Sequence, residues 1–309
     1  MRMEFSGMNR REFSRTVAGA ALGAAVLPSA PPLLAAEMQV PFKLSVMLWT
    51  LPRSLPLDQR MQMAYDAGYR YVELTGEFLS WSPAEFGVMT GKLHSLNLQV
   101  DTLGGFHHAP ADPAQGDAVI AELNQLMPYT ERIGCSRFII LSGNRIPGMP
   151  PERQRQALVD TLKRMGDIAG PKNVTILLEN IDPHENPKYF LTSSSEGFDI
   201  IREVNHPNVR FLYDFYHEQI SFGNLITKLE GNIDIIDLVH IADVPGRHEP
   251  GTGEIDYANI FRKLAALKYN RYAAMEFLPT IEPVASLRGA REYLQKSLNT
   301  QAVPNSTLV

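Results

Sequence analysis

The 309-residue chain has one cysteine, Cys135, so it can form neither an internal disulfide nor a thiolate zinc cluster. It also has no basic excess: 29 Lys and Arg stand against 34 Asp and Glu, a net charge of −5. A protein that grips nucleic acid through its phosphates normally needs that excess, so no nucleic-acid partner is expected. No Gly-x-Gly-x-x-Gly follows the first candidate strand, which leaves a doubly wound dinucleotide-binding sheet without its main support. No apolar run is long enough to span a bilayer, and no stable membrane insertion is expected. The interior shows no linker, charge block or low-complexity tract. What remains is 44% hydrophobic and 20% charged, enough apolar side chain for a sizeable core. The eight histidines and the acids are the only plausible metal-binding stock.

The N-terminus reads Asn9-Arg10-Arg11-Glu12-Phe13-Ser14-Arg15, followed by an uncharged stretch from Thr16 to Ala36. Its apolar core, about Val17 to Leu27, is short and rich in Ala and Gly. The arginine pair, the nearby phenylalanine and the weakly hydrophobic run are similar to a twin-arginine signal. Residues 1–36 are therefore expected to be an export signal, placing the mature protein in the periplasm or otherwise outside the cytoplasm. Losing four arginines against two glutamates takes the charge from −5 to −7.

From Phe42 onward, short β-rich runs alternate with helical patterns. The strand candidates are 42–49, 69–75, 98–104, 136–142, 174–180, 209–215, 236–243 and 271–278. Most are nearly continuous apolar runs, as strands buried on both faces read. Helical patterns lie near 57–67, 83–96, 114–133, 151–168, 194–204, 222–230, 257–268 and 284–298. Gly68 stands where a helix C-terminus wants glycine, Ser193 and Glu196 have capping-box spacing, and Pro83, Pro150 and Pro283 sit at helix starts. Eight βα units over about 260 residues match the size of a (β/α)₈ TIM barrel. One barrel domain is expected over residues 37–298, with 299–309 as a loose tail.

Strand C-termini of such a barrel converge on one mouth. Four metal-capable residues interrupt the apolar runs there: Glu179 in ILLEN, Asp214 in FLYDF, His240 in LVHIAD and Glu276 in AAMEFL. Their spacings of 35, 26 and 36 residues put one on each of four consecutive strands. Singly, each can be a capping, ion-pairing or core residue. Jointly, three buried carboxylates without a cation would be prohibitively costly. Three carboxylates and one imidazole make a hard site suited to a divalent ion, Mn²⁺ first, with Mg²⁺ or Co²⁺ as alternatives. Around it, Glu185 can order one end of a substrate. His107 and His108 follow strand three at the same mouth, Glu73 sits late in strand two and Trp49 ends strand one. Gly251-x-Gly253-Glu254 lacks the context of a phosphate cradle and reads as a tight turn.

The segments Ile-Leu-Leu-Glu179-Asn, Tyr-Asp214-Phe-Tyr-His217-Glu-Gln and His240-Ile-Ala-Asp-Val-Pro-Gly-Arg247-His248-Glu249-Pro-Gly-Thr-Gly-Glu254 closely resemble the hydroxypyruvate isomerase family. That family lies within the xylose-isomerase-like barrel superfamily, which also holds ketose 3-epimerases. The resemblance spans roughly residues 42–298. It implies a divalent metal on Glu179, Asp214, His240 and Glu276, the two glutamates doubling as the acid/base pair, and His217 and Arg247 touching substrate oxygens. His240 departs from the pattern: hydroxypyruvate isomerases tend to carry Gln there, whereas ketose epimerases carry His. Relatives are often oligomers, so a homo-oligomer is a matching expectation.

Isomerisation and epimerisation both remove a weakly acidic proton beside a carbonyl, which suits two carboxylates flanking a metal-chelated substrate. The expected function is a metal-dependent isomerase or epimerase of a small sugar, ketose or hydroxy-keto acid. An exported lyase or hydrolase of 3-keto-glycosides would use the same residues. A sugar-binding protein without catalysis would not need two acids on one metal. An endonuclease-IV-like phosphodiesterase would need a histidine-rich multi-metal site and a basic face.

Overall fold

The computed structural model describes residues 40–300. The expected signal, residues 1–36, lies outside them, as do residues 301–309. Eight parallel strands close into a barrel in sequence order: β1 (Lys43–Met47), β2 (Tyr71–Leu74), β3 (Gln99–Leu103), β4 (Arg137–Leu141), β5 (Thr175–Glu179), β6 (Val209–Asp214), β7 (Ile236–Ile241) and β8 (Tyr272–Met275). The helices are α1 (Leu57–Asp66), α2 (Pro83–Ser95), α3 (Gly116–Ile133), α4 (Pro151–Ala169), α5 (Ser194–Val204), α6 (Phe215–Ser221), α7 (Leu225–Asn232), α8 (Tyr257–Ala266) and α9 (Pro283–Asn299). The expected (β/α)₈ barrel is thus the fold. Among the described residues, no helix is long and apolar enough to cross a membrane.

Strands are shorter than the apolar runs that announce them. Trp49 belongs to a single 3-10 turn after β1, Glu276 lies one residue past β8, and Asn299 ends α9 rather than opening a tail. α6 is an addition. Asp214 accepts hydrogen bonds from the Tyr216 and His217 amides, at 2.7 and 3.1 Å, so the chain turns into a helix where β6 stops. Ser193 is an N-cap residue, but the expected capping box does not form: its side chain makes no cap bond. The Ser194 amide instead donates to the buried Glu218 carboxylate at 2.9 Å. Gly68 does close α1, at φ +90°.

Alternation along the strands decides what reaches the mouth. Met47, Ile139, Leu177, Leu212, Leu238, Tyr272 and Ala274 form a cluster of buried residues, with Trp49 and Tyr71 packed against it. Side chains two residues apart share a face of a strand. Leu177 is therefore followed on the same face by Glu179, Leu212 by Asp214, Leu238 by His240 and Ala274 by Glu276. Tyr71 is followed in the same way by Glu73. The apolar layer floors the barrel, and the next layer toward the strand C-termini carries the charges. Register reinforces this, because Asp214 pairs directly with His240 across β6 and β7. The opposite face of the strands packs on helices; Phe211, fully buried, lies against Gly197 of α5.

Candidate metal centre and substrate cavity

Glu179, Asp214, His240 and Glu276 are all buried, and one ligand atom from each lies within 4.8 Å of the others. His240 Nδ1 stands 3.3 Å from Glu179 Oε1, 3.8 Å from Asp214 Oδ2 and 2.7 Å from Glu276 Oε2. The structure thus gathers the four expected ligands at one point. Whether they suit a cation can be judged from their unmet bonds. Asp214 Oδ2, His240 Nδ1 and Glu276 Oε2 are buried and make no well-aligned hydrogen bond, although Glu276 Oε2 has the Arg247 guanidinium and His240 Nδ1 beside it, each at 2.7 Å. Buried polar atoms are normally hydrogen-bonded, and three such unaligned atoms converging from acid and imidazole groups match the donor set of a divalent ion. These residues fit a divalent metal.

Each group is oriented by a neighbour. Asp214 spends Oδ1 on capping α6, which leaves Oδ2 to face the cluster. His240 is fixed from behind: its Nε2 lies 3.1 Å from Glu73 Oε2, and Glu73 is fully buried and also accepts from Thr102 Oγ1 at 2.5 Å. An acceptor on Nε2 keeps the proton there and turns the Nδ1 lone pair to the centre. Glu276 Oε1 accepts from the Trp49 indole at 3.2 Å. Asp101, one strand beyond Glu73, accepts from Ser45 Oγ at 2.8 Å. Burial, and then the Glu73 charge, push its carboxyl well above the ordinary range.

The two glutamates differ in environment. Burial raises Glu179. Burial also opposes ionisation of Glu276, but the Arg247 and His240 charges outweigh it and hold it below the usual range. Arg247 reaches Glu276 Oε2 through Nη2 at 2.7 Å and Glu185 Oε2 through Nη1 at 2.9 Å. His217 Nδ1 lies 2.6 Å from Asp182 Oδ2 and its Nε2 lies 3.6 Å from Asp214 Oδ2. Burial works against its charge, yet Asp214 and Asp182 lift it to about 9.

The loop after β7 carries Arg247, which takes φ +59°. Asp243 organises that loop: Oδ2 accepts from the Gly251 and Gly253 amides at 2.8 and 2.9 Å, and Oδ1 from Ile255 at 3.0 Å. A Cβ on Gly253 would fall 2.0 Å from the Val244 carbonyl oxygen, so only glycine fits this tight turn.

These groups open into a cavity of about 410 Å³, walled by Trp49, Phe106, Glu179, Glu185, His217 and Arg247 among others. His107 also lines it, but stands apart from the cluster: its exposed ring is tied to Glu122 Oε1 of α3 at 2.9 Å, with His108 on Oε2 at 3.1 Å. Asp182 was not visible as a site residue in the sequence, since it sits in a loop with no periodic signal. Asp101 was, in hindsight, marked as the one acid inside the run LQVDTLG.

Two curated relatives match over nearly their full lengths. A 2-oxo-tetronate isomerase of Pectobacterium atrosepticum is 27% identical, covering 82% of this chain and 98% of the relative. A putative hydroxypyruvate isomerase of Xenopus laevis is 28% identical, covering 80% and 94%. Among solved structures, an AP endonuclease of family 2 from Brucella melitensis superposes with a TM-score of 0.75 at 24% identity, covering 81% of this chain and 98% of that one, a likeness of fold alone. The model of the xylose isomerase-like TIM barrel family matches residues 61–297, and with the closed barrel and the gathered mouth residues this places the chain in that family.

Proposed function

We propose that the protein is a divalent-metal-dependent isomerase or epimerase of a small polyhydroxy carbonyl compound, a ketose or hydroxy-keto acid. The observation that carries this is the set of three buried atoms on Asp214, His240 and Glu276 that make no well-aligned hydrogen bond, in a cluster whose two glutamates, Glu179 and Glu276, line one cavity. Relatives named as isomerases of 2-oxo-tetronate and hydroxypyruvate support the reaction class. When bound, the metal would supply charge to stabilise an ene-diolate.

The chain's own groups do the rest. Glu179 and Glu276 both approach His240 Nδ1, at 3.3 and 2.7 Å, and their acidities are pushed apart, the pattern of an acid paired with a base. One carboxylate takes the proton beside the carbonyl and the other returns one, to the neighbouring carbon or to the opposite face. His217, held charged between Asp182 and Asp214, donates from Nε2 to a substrate oxygen. Arg247 bridges Glu276 of the cluster and the more exposed Glu185 in the cavity wall. Trp49 and Phe106 keep bulk water from the reacting carbon.

Incubation of Mn²⁺-loaded protein in deuterated water with a panel of ketoses, keto-acids and 3-keto-glycosides tests this. Solvent deuterium should appear on the carbon beside the carbonyl, and Glu276→Gln should slow the exchange by about 10²-fold or more. Near-normal exchange in that variant would refute the assignment. We propose in addition that residues 1–36 direct export by the twin-arginine route; fractionation of cells with and without that translocase tests it.

A further inference from the structure

A second cavity, of about 470 Å³, lies beside the first, and Trp49 and Thr75 line both. Its remaining walls are Arg53, Arg60 and Glu77. Arg53 Nε donates to the Trp49 carbonyl at 3.3 Å, and Arg60 Nη1 donates to the Leu48 carbonyl at 3.1 Å. Two guanidinium groups are therefore hung on consecutive carbonyls of the turn after β1, each with most of its five N–H donors unused. Neither pairs with a carboxylate among the described residues. The Nε of Arg60 is buried and has no partner. Glu77 contributes one negative charge against two positive, and its Oε2 is already accepting from the Thr75 amide at 2.7 Å.

Arg247 differs on each point. Its guanidinium faces Glu185 and Glu276 and is matched by them. An acidic group entering the mouth finds unmatched arginines in the second cavity, not in the first. Trp49 links the two sets of charges: its indole donates to Glu276 Oε1 at 3.2 Å, and the Arg53 guanidinium carbon lies 5.0 Å from its ring centroid.

We infer that Arg53 and Arg60 form an anion subsite, which takes the carboxylate or phosphate at the end of the substrate remote from the metal centre. This rests on the isomerase reading above and narrows its substrate class to acidic polyhydroxy carbonyl compounds. Arginine suits the task, because its planar fork binds either oxyanion through two parallel hydrogen bonds.

Calorimetric titration of the purified protein with sodium malonate and, separately, with inorganic phosphate tests the subsite. At least one anion should bind saturably, and Arg60→Gln and Arg53→Gln should each weaken it by about tenfold or more, the loss of one charge-assisted contact. Arg60→Lys should recover part of the affinity and guards against a variant that fails to fold. Tighter malonate binding identifies a carboxylate terminus and tighter phosphate binding a phosphorylated one. No saturable binding at millimolar concentration, or binding of wild-type strength in both glutamine variants, overturns the inference. The titration needs no turnover, so its failure leaves proton exchange untouched, and failed exchange leaves arginine-dependent binding intact.

Discussion

Replacing Glu73 tests how the imidazole of His240 is aimed. Glu73 lines neither of the two cavities described above, yet its Oε2 lies 3.1 Å from His240 Nε2, while His240 Nδ1 faces Glu179, Asp214 and Glu276 without a well-aligned hydrogen bond. Glu73→Gln keeps the size of the side chain but removes the charge that holds the proton on Nε2, and it replaces one of the two acceptor oxygens, facing Thr102 and His240, with an amide donor. The proton can then move to Nδ1, where it blocks the lone pair. Loss of such a supporting carboxylate typically weakens metal binding by about 10- to 100-fold, which is about 1.4–2.7 kcal/mol. Calorimetry with Mn²⁺ reads this directly, and competition with a chelator confirms it. His240→Ala supplies the reference for complete loss of that ligand. A Glu73→Gln protein that folds normally and binds Mn²⁺ as tightly as wild type would refute this account of His240.

Two further predictions concern the scaffold. Gly197→Ala would put a Cβ 2.3 Å from the Phe211 ring, backbone and fully buried aromatic having little room to part; urea unfolding should show a loss of about 1–3 kcal/mol, and an unchanged midpoint would contradict the packing. Burial opposes ionisation of Glu249, but the Ser286 hydroxyl and the Thr280 amide outweigh it and hold the carboxyl below its ordinary range. A depressed carboxylate stabilises the fold above the unfolded-chain value of about 4.3 and loses that contribution as pH falls through the folded value. The stability gap between wild type and Glu249→Gln should therefore be widest near neutral pH and shrink below about pH 4; a gap that grows on acidification would be contrary to it.

Much of this was legible from residue patterns, for identifiable reasons. Strands buried on both faces leave near-continuous apolar runs, so a charge within one stands out, and the period of two projects it to the layer above the apolar floor. That logic found Glu179, Asp214, His240 and Glu276. It overran strand ends, because Phe215 looks like more strand, while the turn into α6 is decided by where the Asp214 carboxylate lies in space. Ser193 and Glu196 have the spacing of a capping box, but a tertiary partner, Glu218, takes the neighbouring amide. Asp182 and the Arg53–Arg60 pair lie on loops or helix starts, and only the fold brings them to their partners. His107 was correctly placed at the mouth, yet Glu122, on a helix many residues later, claims its ring.

The central claim is that four side chains share one dication. A crystal structure of Mn²⁺-soaked protein, with data collected to reveal the anomalous signal of manganese, tests it most directly. One peak should lie about 2.0–2.3 Å from a carboxylate oxygen of each of Glu179, Asp214 and Glu276 and from His240 Nδ1. No peak there, or one bound elsewhere while these four groups stay bonded to each other, would contradict the account.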